Sequence, residues 1–272
     1  MLWHKAKTYA AFRPVAADFD GKIKIVCGDI TLLLKSQSRK SSDQPREWHC
    51  HSRFVSLGVN LNLDWAFMAT QLPDYGHAIL TTIGLGGLAV LFSWLLGVGN
   101  AVASYFGVGR SLITAYVEIG RNTPLLIQLF LLYFGLPKLG ILLSAEACGV
   151  LALTFLGGAY FTEIYRVGFA SIPVEQAQAA KALGLSNRQL LTLVLWPQVW
   201  QRQLPAAAAT GCFLLRETTV LSAIAVAEIM YTTTNGIALY YLTYEFLLMM
   251  TLCCFVLFVP LSIGLRKLEA RI

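Results

Sequence analysis

Long apolar stretches without charged residues dominate the chain after residue 77. No charged residue lies within 78–109 or within 246–265. A helix needs about 20 apolar residues to cross a bilayer, so each stretch is long enough for one membrane span. Three shorter charge-free stretches lie between them, at 122–137, 147–162 and 203–215. Each of these reaches full length only if flanking charged residues are included.

These stretches predict five helical membrane spans, at about 78–104, 113–136, 145–167, 199–221 and 243–265. The apolar stretches show no alternation of period two, and only helices or closed barrels satisfy the backbone within lipid. Composition agrees, because only 13% of the 272 residues are charged, whereas a typical soluble domain has about 25%. We therefore predict an all-α membrane protein.

The connections between the predicted spans differ in positive charge. On one side, 105–112, 168–198 and the C-terminal 266–272 together carry six Lys and Arg residues. On the other side, 137–144 and 222–242 carry only Lys138. Because cytoplasmic loops are enriched in Lys and Arg, this difference predicts that 168–198 and the C-terminus are cytoplasmic. An odd number of spans then makes the N-terminus extracytoplasmic.

The first 60 residues differ in composition from the rest. Ten of the 21 Lys and Arg residues lie before residue 54, which conflicts with an extracytoplasmic N-terminus. Three explanations are open: a long tail translocated despite its charge, an additional span, or a translation start further downstream. The apolar stretch 23–34 is interrupted by Lys24 and Asp29, and we favour the downstream start. We divide the chain into a basic N-terminal extension, 1–60, which is disordered or not translated, and a membrane domain, 61–272.

The connection 168–198 has the sequence of two short helices. Gly184 can close the first helix in the left-handed conformation. Ser186 and Gln189 form a capping-box pattern that starts the second helix. This second helix is apolar and is predicted to end just before Pro197. From its residues alone, the helix pair either rests on lipid headgroups or binds another protein.

The helix pair resembles the EAA loop of bacterial ABC-importer permeases. The shared pattern is a pair of alanines, three residues, a glycine, nine residues, an aliphatic residue, two further residues and a proline. The matching positions are Ala179, Ala180, Gly184, Val194 and Pro197; together with Gln178, which precedes them, they are the six predicted coupling positions. The segments 116–137, 171–173 and 218–228 resemble the polar amino-acid uptake branch of this family. The resemblance covers about residues 61–268.

The resemblance implies a type I ABC-importer permease fold and a membrane permease subunit that moves polar amino acids across the bacterial inner membrane. It implies that the helix pair docks on an ABC ATPase subunit, which hydrolyses the ATP. The other implied partners are membrane lipid, a second permease subunit that is identical or a sister chain, and an extracytoplasmic amino-acid-binding protein; no nucleic acid is expected. The sequence has no G-x-x-x-x-G-K-[ST] phosphate loop. We therefore predict that the chain is not an enzyme and has no catalytic residues and no cofactors.

Two positions depart from the family pattern. Gln178 stands where the EAA motif has a glutamate, and Trp196 stands where an aliphatic residue is usual. An amide keeps hydrogen bonds to a partner but cannot form an ion pair, so we expect weaker or differently matched docking. Trp196 keeps the bulk of an aliphatic residue and suits a membrane interface.

Charged residues within or beside the predicted spans are candidates for a substrate pathway, because charges are costly inside a membrane. They are Glu118, Arg121, Glu163, Arg166, Arg216 and Glu217. The first four form two pairs with a spacing of three, which can pair on one helix face or reach water at the membrane boundary. An amino-acid zwitterion needs partners for both of its charges, so Arg216 or Glu217 could face the pathway; the favoured alternative is that they pair with residues of another helix. Small residues spaced at four within 206–211 and the glycines of 84–87 predict close helix packing.

Two other classes of function are alternatives. A stand-alone secondary carrier or channel would show internal repeats and broken helices at matching positions of two halves, and the sequence shows no such symmetry. An intramembrane enzyme needs paired catalytic groups or metal ligands, and no histidine follows His77. His49, Cys50 and His51 have the chemistry of metal ligands but no second cluster at ligand spacing, so we predict no metal site.

Overall fold

The computed structural model of the protein describes residues 63–269, and all regular structure within these residues is helical. The α-helices are α1 (Trp65–Tyr105), α2 (Arg110–Asn122), α3 (Leu125–Phe130), α4 (Ala145–Ala170), α5 (Val174–Ala182), α6 (Asn187–Gln189), α7 (Trp196–Glu217), α8 (Ile229–Tyr240) and α9 (Thr243–Glu269). Short π-helical or 3₁₀ turns extend them at Leu131–Gly135, Leu136–Leu139, Leu190–Leu195 and Thr218–Ile224. The predicted all-α class is confirmed. The predicted extension 1–60, with His49, Cys50 and His51, lies outside the described residues.

Within residues 63–269, three helices are long and apolar enough to cross a membrane: α1, α4 and α9. α1 begins at Trp65, well before the predicted start at 78, because Asp64 caps it: its Oδ1 accepts a hydrogen bond from the Phe67 N–H at 2.9 Å. The predicted spans 113–136 and 199–221 correspond to α2 with α3 and to α7, which are shorter or more polar.

The prediction of one continuous helix over 113–136 is wrong. Thr123 is extended and Pro124 has no N–H, so α2 ends at Asn122 and the Gly120 carbonyl loses its helical donor. The buried Gln128 side chain replaces it. Its Nε2 donates to the carbonyls of Gly120 and Thr123 at 3.1 Å each, and to Thr123 Oγ1 at 2.6 Å. One amide thereby satisfies oxygen atoms that the break leaves without partners.

The core forms where α1 packs along α4. A stripe of small buried residues at a spacing of four runs along α1: Ala89, Ser93, Gly97 and Ala101. At Gly97 the two backbones approach so closely that a Cβ atom would lie within 2.9 Å of the Phe161 carbonyl carbon and the Thr162 nitrogen. Small residues permit such close contact between helices.

The predicted close packing of small residues is confirmed at some positions only. A Cβ atom at Gly86 would lie 2.6 Å from the Leu215 side chain, and Ala207 and Gly211 are buried in α7. At Gly84 and Gly87 an added Cβ atom would meet nothing within 4 Å, so the prediction is wrong for these two glycines.

The helices have two distinct ends. Tyr105, at the end of α1, lies 5.3 Å from Phe169, near the end of α4, and α5 follows directly. We call this the hairpin end. Phe67, in the first turn of α1, lies 4.9 Å from Tyr240 and 6.0 Å from Phe246 (ring centroids), which are in α8 and α9. We call this the opposite end.

Candidate functional site

The connection between α4 and α7 forms a helical hairpin, which we define as residues 173–197. Its first helix, α5, closes on Gly184, whose φ of +78° is left-handed. The Gly184 N–H donates to the Lys181 carbonyl at 2.9 Å, and the Leu185 N–H donates to the Ala180 carbonyl at 3.1 Å. These two bonds are those of a Schellman motif, so the predicted glycine stop is confirmed.

The second helix of the hairpin begins as predicted but does not end as predicted. Ser186 caps it, and Gln189 completes the capping box: Ser186 Oγ accepts from the Gln189 N–H at 3.3 Å, and Gln189 Oε1 accepts from the Ser186 N–H at 2.9 Å. The prediction that this helix ends before Pro197 is wrong. The π-helical turn at Leu190–Leu195 leads directly into α7, where Pro197 lies in the first turn and its missing N–H is tolerated.

The hairpin has a buried side and an exposed side. Ala180, Leu190 and Leu195 are at most 5% exposed and join the main core. Val174 and Leu183 are 61% and 82% exposed. Exposed apolar residues beside polar ones are typical of a surface that binds protein or membrane.

The six predicted coupling positions divide between these two sides. Ala180 is buried and Val194 is half-buried. The other four are exposed: Gln178, Ala179, Gly184 and Pro197.

Two polar contacts tie the hairpin to its neighbours, and neither was predicted from the sequence. Gln198 Nε2 donates to Gln176 Oε1 at 2.9 Å and to the Val194 carbonyl at 2.8 Å, which joins α7 to α5. Arg202 Nη1 donates to the Ser171 carbonyl at 3.2 Å and to Ser171 Oγ at 3.3 Å, which joins α7 to the end of α4. Both contacts link residues more than 20 positions apart, so no local pattern indicates them.

An aromatic cluster lies beneath the hairpin. The Trp196 ring lies 5.7 Å from Tyr165 of α4 and 5.9 Å from Trp200 of α7. Trp94 of α1 donates its Nε1–H to the Tyr165 hydroxyl at 2.8 Å. Trp196, which departs from the family pattern, therefore packs against aromatic residues of α4 and α7.

The structure brings together one of the predicted charge pairs. Arg166 Nε lies 3.6 Å from Glu163 Oε2, and both side chains are 33% exposed. Arg166 Nη1 also donates to Thr114 Oγ1 of α2 at 3.4 Å. With Arg110, the pair lines a cavity of about 350 Å³ between the ends of α1 and α4 and the start of α2, so these charges lie at the hairpin end of the helix bundle.

The other predicted charges are not brought together in ion pairs within the described residues. The Arg121 guanidinium lies over the Tyr160 ring at 5.4 Å, and that of Arg216 lies over the Phe258 ring at 5.6 Å. Such cation–π contacts stabilise a guanidinium where water is scarce. Glu118 is exposed and Glu217 is half-buried.

Two carboxylates are buried among the described residues, Glu228 and Glu245, and the sequence pattern indicated neither as a functional candidate. Glu228, in the connection between α7 and α9, is 1% exposed and caps α8. Its carboxylate accepts from the N–H groups of Met230 and Tyr231 at 2.9 and 2.8 Å. Burial raises the pKa of Glu228 to about 7, against the lowering effect of these two hydrogen bonds. Glutamate is not among the preferred N-cap residues, so the sequence pattern did not indicate this cap.

Comparison with known proteins places this architecture in a family. Residues 77–272 match the family described as binding-protein-dependent transport system inner membrane component. The chain is 29% identical over 216 residues to the probable glutamine ABC transporter permease protein GlnM of Bacillus subtilis (strain 168), which covers 79% of this chain and 98% of that protein. It is 32% identical over 213 residues to the probable glutamine ABC transporter permease protein GlnP of the same strain, covering 76% and 97%.

A solved structure agrees with the sequence comparison. The crystal structure of an amino acid ABC transporter with histidines superposes with a TM-score of 0.71 at 28% identity, over 78% of this chain and 100% of that one. The expected importer-permease fold is thereby confirmed. The family match extends over α4, the hairpin and α7 as well as the flanking helices. This chain belongs to the family of binding-protein-dependent transport system inner membrane components.

Proposed function

We propose that this chain is the membrane permease subunit of an ATP-binding-cassette importer for polar amino acids. The observation that supports this most strongly is the family match over residues 77–272. The likeness to an amino acid ABC transporter at 28% identity and to two probable glutamine permeases supports the substrate class. A stand-alone carrier or channel is the less favoured alternative, since the matched family consists of components of multi-subunit systems.

The hairpin is the proposed docking site for the ABC ATPase subunit. Its exposed side offers Gln178 together with apolar residues such as Leu183, while Ala180 and Leu190 anchor it to the helix bundle. Such a surface can bind a groove on a partner. Because the hairpin lies between α4 and α7, its displacement can be transmitted to both helices. ATP hydrolysis then belongs to the partner, and this chain supplies the membrane path.

The proposed orientation places the hairpin and the C-terminus in the cytoplasm and the N-terminus outside the cell. The excess of Lys and Arg in the connections on the hairpin side supports it. The opposite end then faces the extracytoplasmic amino-acid-binding protein, and a second permease subunit completes the path in the inner membrane. Arg216, Glu217 and the charges of α2 and α4 are candidates for lining it.

Loss of the ATPase on disruption of the hairpin tests this proposal. Gly184→Pro removes an N–H that donates at 2.9 Å and demands a φ near −65°, whereas Gly184 has +78°. We expect the ABC ATPase to co-purify with the tagged wild-type chain from native membranes and to be lost from this variant.

The matched control is Gly140→Pro at the opposite end. Gly140 has a φ of +81°, and its N–H donates to the Pro137 carbonyl at 3.0 Å, so the local cost is similar. This variant should keep the ATPase. A wild-type chain that purifies without any ABC ATPase, or equal loss in both variants, would contradict the proposal.

A further inference from the structure

Few side chains of helix α5 are buried against the rest of the protein. It has nine residues, and only Ala180 among them is buried. An isolated helix of this length is marginally stable in water, so its position depends on contacts with the rest of the protein. The chain itself ties α5 to α4 through 171–173 and to α7 through the turn at Gly184.

The turn at Gly184 is a weak route for transmitting a displacement. Gly184, Ser186 and Asn187 are exposed, and an added Cβ atom at Gly184 would meet nothing within 4 Å. A turn with so little packing around it is expected to deform when a force acts on the exposed side of α5. A stiffer connection between α5 and α7 is therefore needed at the base of the hairpin.

The Gln176–Gln198 hydrogen bond lies at that base. Gln176 is in the first turn of α5, and Gln198 is in the first turn of α7. Both side chains are half-buried, where a hydrogen bond is stronger than in water. The second bond of Gln198 Nε2, to the Val194 carbonyl at 2.8 Å, fixes the direction of its amide.

The aromatic cluster stiffens the α7 side of this contact. Trp196 and Trp200 flank Gln198 in sequence and pack against each other and against Tyr165 and Trp94. A displacement of Gln198 is therefore transmitted to α1 and α4 as well as to α7. The Arg202–Ser171 contact ties α7 to the end of α4 one turn further along.

We infer that the Gln176–Gln198 hydrogen bond transmits displacement of α5 to α7, so that both glutamines are positioning residues for the coupling of ATP hydrolysis to transport. The inference rests on the proposed function, because it assumes that the ATPase docks on the hairpin. It assigns a role to two residues that lie outside the six predicted coupling positions.

The test compares amino-acid uptake with ATP hydrolysis in the same vesicles, using the complete complex purified with its ATPase and binding protein. In Gln176→Ala and Gln198→Ala we expect assembly and ATP hydrolysis to persist, while labelled glutamine taken up per ATP falls about fivefold, as for the loss of one hydrogen bond. The double variant should be no worse than Gln198→Ala alone, because that substitution already removes the bond to Gln176. Gln201→Ala, an exposed position of α7, is the control and should keep the wild-type ratio.

The direction of the bond gives a second, conservative pair of variants. Gln176→Glu keeps an acceptor oxygen for Gln198 Nε2 and should keep the uptake-to-ATP ratio. Gln198→Glu removes the donor and sets a carboxylate against the Val194 carbonyl, so the ratio should fall as in the alanine variants.

Three results would overturn the inference. The first is an unchanged ratio in both alanine variants, and the second is an equal fall in Gln201→Ala. The third is loss of the complex in both alanine variants, which would make the bond a folding contact. Failure of the proposed function is distinguishable, because the wild-type complex itself would then show no ATPase or no ATP-driven uptake.

Discussion

Gln178 is the residue whose chemistry departs most clearly from the expected docking motif. It lies on the exposed side of α5, next to Ala179 and one turn before Ala182. A carboxylate at this position could form an ion pair with a partner, and an amide cannot. Exposed ion pairs contribute about 0.2–1 kcal/mol, so the departure changes affinity modestly rather than abolishing docking.

Gln178→Glu should therefore strengthen binding of the ATPase by about 1.4-fold to fivefold at low salt. The gain should shrink as salt is raised to about 1 M, where charges more than about 3 Å apart are screened. The measurement is the dissociation constant of the ATPase from the purified chain at two salt concentrations. Weaker binding in the variant at low salt would show that the partner surface is matched to the amide.

Local signals account for the parts of the hairpin that were predicted correctly. The glycine stop and the capping box depend on neighbouring residues, so their sequence patterns suffice. The helix continues past Pro197 because a π-helical turn precedes the proline and places it in the first turn of α7. The sequence pattern did not indicate this turn, so the continuation was not predicted. The Gln176–Gln198 contact was missed because it joins residues 22 positions apart.

At the scale of the elements, the helix bundle depends on how closely α1 approaches α4. The apolar stretches predicted that these helices exist, since span length is encoded in composition. They did not indicate which glycines lie at contacts: Gly86 and Gly97 do, whereas Gly84 and Gly87 do not. The predicted charge pairs show the same limit. Glu163 and Arg166 form an ion pair within one helix, whereas the Arg121 guanidinium lies over the Tyr160 ring of another helix.

Gly97→Ala should destabilise the bundle by about 1–3 kcal/mol, because the new methyl group would meet backbone atoms that cannot move aside. The control is Gly99→Ala, two residues on, where an added Cβ atom meets nothing within 4 Å. It should leave stability unchanged or raise it, since alanine favours helix over glycine. Thermal unfolding midpoints in detergent measure both. Equal midpoints for the two variants would contradict the packing described for α1 and α4.

At the scale of the whole molecule, the proposed function requires the hairpin end to face the cytoplasm. Leu183 in the hairpin and Leu142 at the opposite end are 82% and 83% exposed, so cysteines there should react equally well with a soluble reagent. We expect a membrane-impermeant maleimide to label Leu142→Cys in spheroplasts. It should label Leu183→Cys only in inverted membrane vesicles. Labelling is measured by mass spectrometry, and the labelling of the wild-type chain is subtracted to correct for its native cysteines. The reverse pattern would contradict the proposed orientation.

ATP-driven uptake by the reconstituted complex tests the central claim most directly. Vesicles would contain this chain with its co-purified ATPase, supplied with the binding protein and labelled glutamine outside and ATP inside. We expect glutamine to accumulate only when ATP, ATPase and binding protein are all present. Accumulation of glutamine by vesicles that contain this chain alone would contradict it.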